Sequence, residues 1–314
     1  MADLPIVVVP VGSDDDALDA CLAALDTGTP AGTRVWLADD AQAGPRGYAI
    51  IERWLARTAL KADYTRRQRA IGEVAHLDEI LAACGSADVA VLAADTVPLP
   101  GWLEQLAGCL ASDGAIATAT PWCNAGEAAA WPRIGEIDPM PGDPARLARA
   151  LARMPRIHPE LPAAVSHAVL LRGSARGKAR GLDTASYGSW YAGLIDLSLR
   201  LSGLGWRNVL CESAHVARPA EGIAIEGDMD RIAVRWPDWH ARIAGFLMRD
   251  PLRGPREQLA GLLESIGPPE PQPDLFASAA PDTPRDEPAA SQTPAIETTD
   301  AGVTGIRSPD APES

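Results

Sequence analysis

The most informative part of the sequence is the stretch Val91-Leu-Ala-Ala-Asp95-Thr-Val-Pro-Leu-Pro-Gly-Trp102. An apolar run of strand length ends in a single carboxylate, and a Pro/Gly turn separates it from a helical pattern that begins at Trp102. An acid at the carboxyl end of a buried strand lies at the edge where open α/β sheets bind ligands. Such a carboxylate is suited to hold a divalent cation, which in turn holds a diphosphate. Taken alone, Asp95 is equally compatible with a cap of the following helix.

Short apolar runs alternate with longer amphipathic segments on both sides of this stretch. The runs predicted to be strands are 6–9, 34–37, 89–93, 115–120, 165–171 and 208–211. The segments predicted to be helices are 50–60, 72–84, 102–110, 144–154, 190–201 and 232–248, besides a first helix with Ser13 as its N-cap. Because the strands are apolar throughout, the sequence predicts an α/β fold with a mostly parallel central sheet and helices on both faces.

The acidic charge of the chain is unevenly distributed. The net charge is −14 over 314 residues, and the segment 267–314 alone carries nine acids, two arginines and ten prolines. That segment has too few apolar residues to offset the entropy lost on ordering. The sequence therefore predicts a single folded domain, 1–266, followed by a disordered, acidic, proline-rich tail, 267–314.

The composition excludes several classes of protein. No basic face is concentrated enough to predict nucleic acid as a partner. No apolar run approaches the length of a membrane span, and the N-terminus lacks the features of a signal peptide, so any membrane association is expected to be peripheral. The five cysteines are odd in number, widely separated and without a C-x-x-C pair, which indicates a reduced, cytoplasmic protein.

Acids follow three of the predicted strands: the pair Asp39-Asp40, then Asp95 and, less clearly, Glu212. In a parallel sheet the carboxyl ends of the strands share one edge, so these carboxylates are expected to converge. This convergence predicts a nucleotide and metal site. Arg66 is expected either to meet a diphosphate bound in this site or to lie in solvent.

The order of the motifs carries a resemblance to a known family. The motifs are, in chain order, Ile6-Val-Val-Val-Pro-Val-Gly-Ser13, Trp36-Leu-Ala-Asp-Asp40, the stretch 92–102, Ala119-Thr-Pro-Trp-Cys-Asn124, Asp196-Leu-Ser-Leu-Arg200 and Ala214-His-Val216. Over about residues 6–259 the chain resembles the family 2 glycosyltransferases, which have the GT-A fold. The resemblance implies a nucleotide-sugar half, 1–125, and an acceptor half, 126–266.

The resemblance also implies site residues. Those expected to bind the donor are Pro10, Val11, Asp39, Asp40, Asp95 and Asn124, together with Arg66. Asp95 and His215 are expected to ligate a divalent metal, Mn²⁺ or Mg²⁺, although a histidine satisfied beside a strand is an equal alternative for His215. Asp183 and Asp196 are the candidates for the catalytic base. For Asp196 a salt bridge to Arg200, four residues on in the same helix, is favoured over the base.

The chain departs from the family pattern at the metal motif and at the position of the catalytic acid. Ala93 stands where the first acid of the metal motif is usual, and Gly193 and Leu194 stand where the catalytic acid is usual. The resemblance implies an inverting glycosyltransferase that moves a sugar from a nucleotide-sugar donor to a glycan or lipid-linked acceptor, in the synthesis of a bacterial surface polysaccharide. The alternative is a non-catalytic nucleotide-sugar-binding or scaffold module with the same fold.

Two further features remain open between function and structure. The tryptophans Trp122, Trp131 and Trp190 are suited either to stack on sugars or to fill the core. The basic run 172–180 is expected to be a solvated turn, with an approach to an anionic acceptor as the alternative.

Overall fold

The part of the chain that the structure describes contains ten strands and ten helices. A computed structural model describes residues 4–126 and 128–267. The strands are β1 (Ile6–Pro10), β2 (Arg34–Asp39), β3 (Lys61–Arg66), β4 (Val89–Leu92), β5 (Val97–Pro98), β6 (Ile116–Trp122), β7 (Ala125–Gly126), β8 (Glu136–Ile137), β9 (Ala168–Leu171) and β10 (Arg207–Ala217). The helices are α1 (Asp15–Gly28), α2 (Pro45–Leu55), α3 (Glu73–Ala83), α4 (Trp102–Ser112), α5 (Pro144–Leu151), α6 (Gly173–Ala179), α7 (Trp190–Gly203), α8 (Asp228–Arg235), α9 (Trp239–Arg249) and α10 (Arg253–Ile266). The predicted tail lies outside the described residues, apart from Gly267.

The central sheet is mostly parallel, as predicted. Its strand order is β3-β2-β1-β4-β9-β6-β10-β5, with β7 and β8 forming a separate hairpin. β1 pairs in parallel with β2 on one side and β4 on the other, and β6 pairs in parallel with β10. β9 runs antiparallel between β4 and β6, and β5 runs antiparallel beside β10. The carboxyl ends of β1, β2 and β4 therefore share one edge, where three of the predicted acids, Asp39, Asp40 and Asp95, are found.

Helices cover both faces of the sheet, and β1 shows why the strands are apolar throughout. Val7 and Val9 pack into one core cluster with α1, α2 and α4, whereas Ile6 and Val8 pack into the other with α3 and α7. Successive strand side chains point to opposite faces, so a strand covered on both sides must be apolar at every position. Among the described residues no helix is both long and apolar enough to cross a bilayer.

Several element boundaries differ from the sequence predictions. The predicted helix 50–60 begins at Pro45 and ends at Leu55, and its last residues lead into β3, which was not predicted. β3 has no apolar run that would predict a strand, because it is an edge strand, paired only with β2, and most of its side chains are exposed. The predicted helix 232–248 is two helices, α8 and α9, because Pro237 lies between them. α10 was not predicted.

The start of α1 also differs from the prediction. Its N-cap is Asp14 rather than Ser13, and the Asp14 side chain accepts hydrogen bonds from the backbone N–H groups of Asp16 at 3.1 Å and Ala17 at 3.0 Å. The acidic first turn therefore caps and stabilises a helix, as its charge predicts.

The basic run 172–180 is a helix rather than a solvated turn. Arg172 donates to the carbonyl oxygens of Ile116 at 2.6 Å and Asp113 at 2.9 Å. Arg176 is buried and donates to Gly85 O at 2.7 Å and to two further carbonyls near the end of α3. Both guanidinium groups are thus used in packing α6, so neither approaches an anionic acceptor.

Candidate functional site

An open cleft with a volume of about 480 Å³ lies at the carboxyl edge of the parallel strands. The loops after β1, β2 and β4 form part of its wall, with Pro10, Val11, Asp40 and Asp95. The remaining wall comes from α3, the start of α7 and the residue after β10, with Glu73, His76, Trp190 and Arg218. Of the residues predicted to bind a donor, the structure thus brings Pro10, Val11, Asp40 and Asp95 together.

Asp95 lies on the cleft wall in an ion pair. Its side chain is 32% exposed, and its Oδ2 accepts a hydrogen bond from Nε of Arg218 at 2.8 Å. The tight turn after β4 sets its position, because Thr96 donates to the Ala93 carbonyl through both its backbone N–H, at 3.2 Å, and its hydroxyl, at 2.6 Å. The negative charge of the Asp95 carboxylate, on the cleft wall, is therefore neutralised by the guanidinium of Arg218.

Asn124 holds the backbone that carries this arginine. Its Oδ1 accepts the backbone N–H of Arg218 at 2.7 Å, and its Nδ2 donates to the Asp138 carbonyl at 2.8 Å. The Asn124 side chain is only 2% exposed and is not on the cleft wall. The structure thus places this predicted donor-binding residue behind the site, where it positions Arg218.

The adjacent acids Asp39 and Asp40 face different surroundings. Asp39 is fully buried and accepts hydrogen bonds from Gln42 N at 2.6 Å and Tyr64 Oη at 2.7 Å, and burial together with Asp39 raises the pKa of Tyr64 to about 12. Arg66 lies 3.7 Å from the Asp39 carboxylate, also away from the cleft wall. Asp39 and Arg66, both predicted to bind a donor, therefore stabilise the β2–β3 edge.

Asp40 lies on the cleft wall and holds the loop before α3. Its Oδ1 accepts from Ile71 N at 2.9 Å, and its Oδ2 accepts from Gly72 N at 2.8 Å. These hydrogen bonds fix the entrance to α3, whose first residue is Glu73.

Both residues predicted to act as the base are used structurally. Asp196 is fully buried and accepts hydrogen bonds from Arg200 Nε at 2.7 Å and Trp236 Nε1 at 3.0 Å. The salt bridge to Arg200 confirms the alternative that the helical spacing favoured. Asp183 binds the Ser186 hydroxyl at 2.9 Å and the Arg235 guanidinium. Neither carboxylate is on the cleft wall.

Glu73 is an acid of the cleft that the sequence interpretation missed. Its Oε2 accepts the backbone N–H of Trp190, the first residue of α7, at 2.7 Å. Burial raises the pKa of Glu73, while the nearby positive charge of Arg218 opposes that shift. α3 packs against α7 at Gly193, where an added Cβ would lie 3.5 Å from Val74. Glu73 of α3 thus lines the cleft beside α7, the helix that has no acid at positions 193 and 194.

Glu212, the third acid predicted at a strand end, is interior. Its Oε1 accepts the backbone N–H groups of Ile157 at 2.6 Å and His158 at 2.7 Å, and it does not reach the cleft. Of the three tryptophans, Trp190 lines the cleft, whereas Trp122 is fully buried and packs in the core.

The comparisons with known proteins show which fold this is. No family profile and no curated protein matches the sequence. Among solved structures, GalNAc-T7 with UDP, GalNAc and Mn²⁺ matches with a TM-score of 0.56 and 12% identity, over 83% of this chain and 55% of that one. Residues 1–349 of S. aureus TarS, in complex with UDP, match with a TM-score of 0.50 and 13% identity, over 77% of this chain and 70% of that one.

The fold is GT-A. At these identities the likeness extends to the fold alone, and the chain spans about half the length of GalNAc-T7. The predicted architecture is thereby confirmed, with the cleft at the sheet edge where α/β folds bind ligands.

The described residues of this GT-A chain do not fit a divalent metal. The carboxylate of Asp95 is paired with Arg218, and neighbouring Ala93 offers no side-chain oxygen. His215 is 1% exposed and packs edge-on against Trp131, with 6.3 Å between ring centroids, and burial lowers its pKa to about 3. Within residues 4–126 and 128–267 no group of three or more His, Cys, Asp or Glu side chains is placed to hold an ion. Mg²⁺ is usually held by one or two carboxylates besides waters and substrate phosphates, and at this position the one carboxylate, Asp95, is already paired with a guanidinium.

Proposed function

We propose that the protein is a glycosyltransferase that binds a nucleotide-sugar donor in the cleft. The observation that carries the proposal is the cleft itself: at the carboxyl edge of a GT-A sheet, one guanidinium, from Arg218, lies on its wall together with Asp95 and with Glu73, an acid whose pKa is raised. A guanidinium matches the geometry of phosphate oxygens, and an acid with a raised pKa is suited to accept a proton near neutral pH.

The proposed reaction is a single displacement that inverts the anomeric carbon. The acceptor oxygen forms a bond to C1 of the sugar, the bond from C1 to the diphosphate breaks, and the electron pair leaves with the nucleoside diphosphate. Glu73 takes the proton of the acceptor hydroxyl. General base catalysis of this kind contributes on the order of 10²–10⁴ in rate.

The acceptor is proposed to approach beside Arg218. A second, smaller cavity adjoins the cleft at this residue and is lined by Ser166, His167, Tyr191 and Trp239. Aromatic side chains that also carry polar groups are suited to a saccharide, which has apolar faces and hydroxyl edges. The predicted acceptor class, a glycan or lipid-linked saccharide of a bacterial surface polysaccharide, and the cytoplasmic location stay predictions.

The test is donor binding, measured by calorimetry with a panel of uridine, guanosine and thymidine diphosphate sugars, followed by an assay for released nucleoside diphosphate. Gly12 lies on the cleft wall, and a Cβ added there meets nothing within 4 Å, so Gly12→Leu fills the cleft without straining the fold. We expect Gly12→Leu to abolish binding. Gly254→Leu, at an equally open position on α10, is the matched control. If the wild-type protein binds no nucleotide sugar, the proposal fails.

A non-catalytic binding module is the second candidate function. Gly193 and Leu194, at the positions where the family has its catalytic acid, favour it, since both are buried in α7. Donor binding at micromolar concentrations without release of nucleoside diphosphate, with any acceptor tried, would support this candidate against the first.

A further inference from the structure

The guanidinium of Arg218 is paired with Asp95, the carboxylate that the resemblance implies as a metal ligand. Arg218 follows the last residue of β10, and its side chain is 15% exposed, on the wall that it shares with Asp95. Asn124 fixes its backbone through the hydrogen bond of 2.7 Å. Two contacts at the two ends of the residue thus hold the guanidinium in place.

Only part of this guanidinium is engaged within the described residues. Among these residues its ion pair is with Asp95 and uses Nε. The two terminal nitrogens lie at the other end of the planar group and take no part in this ion pair. Two N–H groups of a guanidinium match two oxygens of a phosphate, with geometry that a lysine does not reproduce. The Asp95 carboxylate orients the group from behind and is a positioning residue.

The charges at this position argue against a cation beside the arginine. A divalent ion on Asp95 would lie beside the guanidinium that already bonds this carboxylate through Oδ2, and the two positive charges would repel each other. The departure at Ala93 is consistent with this pairing, because Ala93 adds no second carboxylate beside Asp95 to offset the charge of a cation next to the guanidinium.

We propose that Arg218 binds the donor diphosphate and stabilises the departing nucleoside diphosphate, so that sugar transfer needs no divalent cation. This inference rests on the proposed function. The bond from C1 to the diphosphate breaks with its electron pair on the phosphate oxygen, and the negative charge that develops there is met by the guanidinium. The acceptor oxygen bonds to C1 and its proton passes to Glu73. Preorganised arginines stabilise such charge as metal ions do.

The first experiment measures donor binding and release of nucleoside diphosphate by the full chain, after chelation with EDTA and again with added Mn²⁺. We expect both quantities to agree within twofold in the two conditions, and calorimetry with MnCl₂ alone to show no binding below millimolar concentration. Donor binding that requires Mn²⁺ would overturn the inference while leaving the proposed function intact. If no donor binds in either condition, it is the proposed function that fails.

The second experiment compares variants in the presence of EDTA. Arg218→Gln is expected to weaken donor binding on the order of 100-fold, the loss of a charge-assisted hydrogen-bonded pair, without rescue by Mn²⁺. Arg218→Lys keeps the charge and loses the planar geometry. We expect it to bind the donor more tightly than Arg218→Gln and more weakly than the wild type. Arg53→Gln removes an exposed arginine that is ion-paired with Asp19, far from the cleft wall, and is the matched control.

Asp95→Asn distinguishes binding of the diphosphate by Arg218 from binding by a cation held on Asp95. The substitution removes the carboxylate charge but keeps an oxygen that accepts a hydrogen bond from Arg218. We expect its donor affinity to change less than tenfold. An Asp95→Asn variant that loses binding while Arg218→Gln retains it would show that the carboxylate, and hence a cation on it, holds the diphosphate.

Discussion

The consecutive acids Asp39 and Asp40 are both buried, but the backbone turns their side chains in opposite directions, toward different partners. Asp39 ends β2 with its carboxylate among the hydrogen bonds of the β2–β3 edge, and Asp40 is turned toward the cleft. At the scale of single residues, the same residue type therefore serves stability at one position and the cleft at the next.

Glu73 gives a prediction for catalysis. Glu73→Gln keeps an oxygen that accepts the Trp190 N–H but cannot take a proton, so we expect kcat to fall on the order of 10²–10⁴ while donor affinity is kept. In the wild type, kcat should increase as the pH rises through the raised pKa of Glu73, because the base must be deprotonated. The charged groups near it are Arg218, Asp228 and Asp95, of which Arg218 lowers this pKa and the two acids raise it.

The measurement is the pH dependence of kcat, with Glu79→Gln as the control. Glu79 lies on the same helix, exposed and ion-paired with Arg67 outside the cleft. Equal losses in the two variants would contradict a catalytic base at Glu73.

Asp39 gives a prediction for stability. Asp39→Ala removes a fully buried carboxylate and leaves the partly buried Gln42 N–H and Tyr64 hydroxyl without their acceptor, so we expect the free energy of unfolding to fall by about 3 kcal/mol. Urea denaturation measures this loss. Asp63→Ala, at an exposed position of the adjacent β3, should change stability by less than about 0.5 kcal/mol. Similar values for the two variants would contradict the buried network.

At the scale of elements, α6 shows how one helix is held by close backbone contact at its start. A Cβ on Gly173 would lie 2.1 Å from the Ser86 carbonyl oxygen and 2.7 Å from that of Ala87, so the backbone would have to move. A Cβ on Gly177, in the same helix, meets nothing within 4 Å and faces solvent.

The two glycines therefore predict opposite effects of one substitution. Gly173→Ala is expected to lower the free energy of unfolding by on the order of 2 kcal/mol or more, through overpacking. Gly177→Ala is expected to raise it by about 0.5–1 kcal/mol, through helix propensity. Thermal and urea denaturation of both variants measure the difference, and effects of the same sign would refute the assigned packing of α6.

The sequence predicts elements where the residues alone determine burial, and misses those that depend on their neighbours. The apolar runs alone predict the strands β1, β4 and β9, and the spacing of four residues predicts the salt bridge between Asp196 and Arg200 in α7. β3 is polar because it lies at the edge, a position that only the assembled sheet defines. Glu73 looks like any acid at a helix start, and it becomes a cleft residue only because α3 packs against α7.

At the scale of the whole molecule, histidines in the interior make the stability of the fold depend on pH. His167 is 2% exposed, and its pKa is lowered from 6.5 to about 3, mainly by burial and further by the charges of Arg218 and His215. Between these two values the unfolded chain binds a proton that the folded chain does not. The free energy of unfolding therefore falls as the pH is lowered through this window.

We expect His167 to account for a loss of about 2 kcal/mol between neutral pH and pH 5. His167→Gln should remove that part of the pH dependence, whatever its effect on stability at neutral pH. His240→Gln, at an exposed position on α9, should leave the pH dependence unchanged. Urea denaturation between pH 5 and pH 7.5 gives the slopes, and an unaltered slope in His167→Gln would contradict the assignment.

The ion pair at the cleft joins residues 123 positions apart, one after β4 and the other after β10. During synthesis Asp95 therefore leaves the ribosome well before its counter-ion. Until the last strand docks, this edge of the sheet carries an uncompensated acid, which repels a pyrophosphate. Completion of the sheet brings the guanidinium to this carboxylate, so the charge of Asp95 is balanced only when the whole domain is assembled.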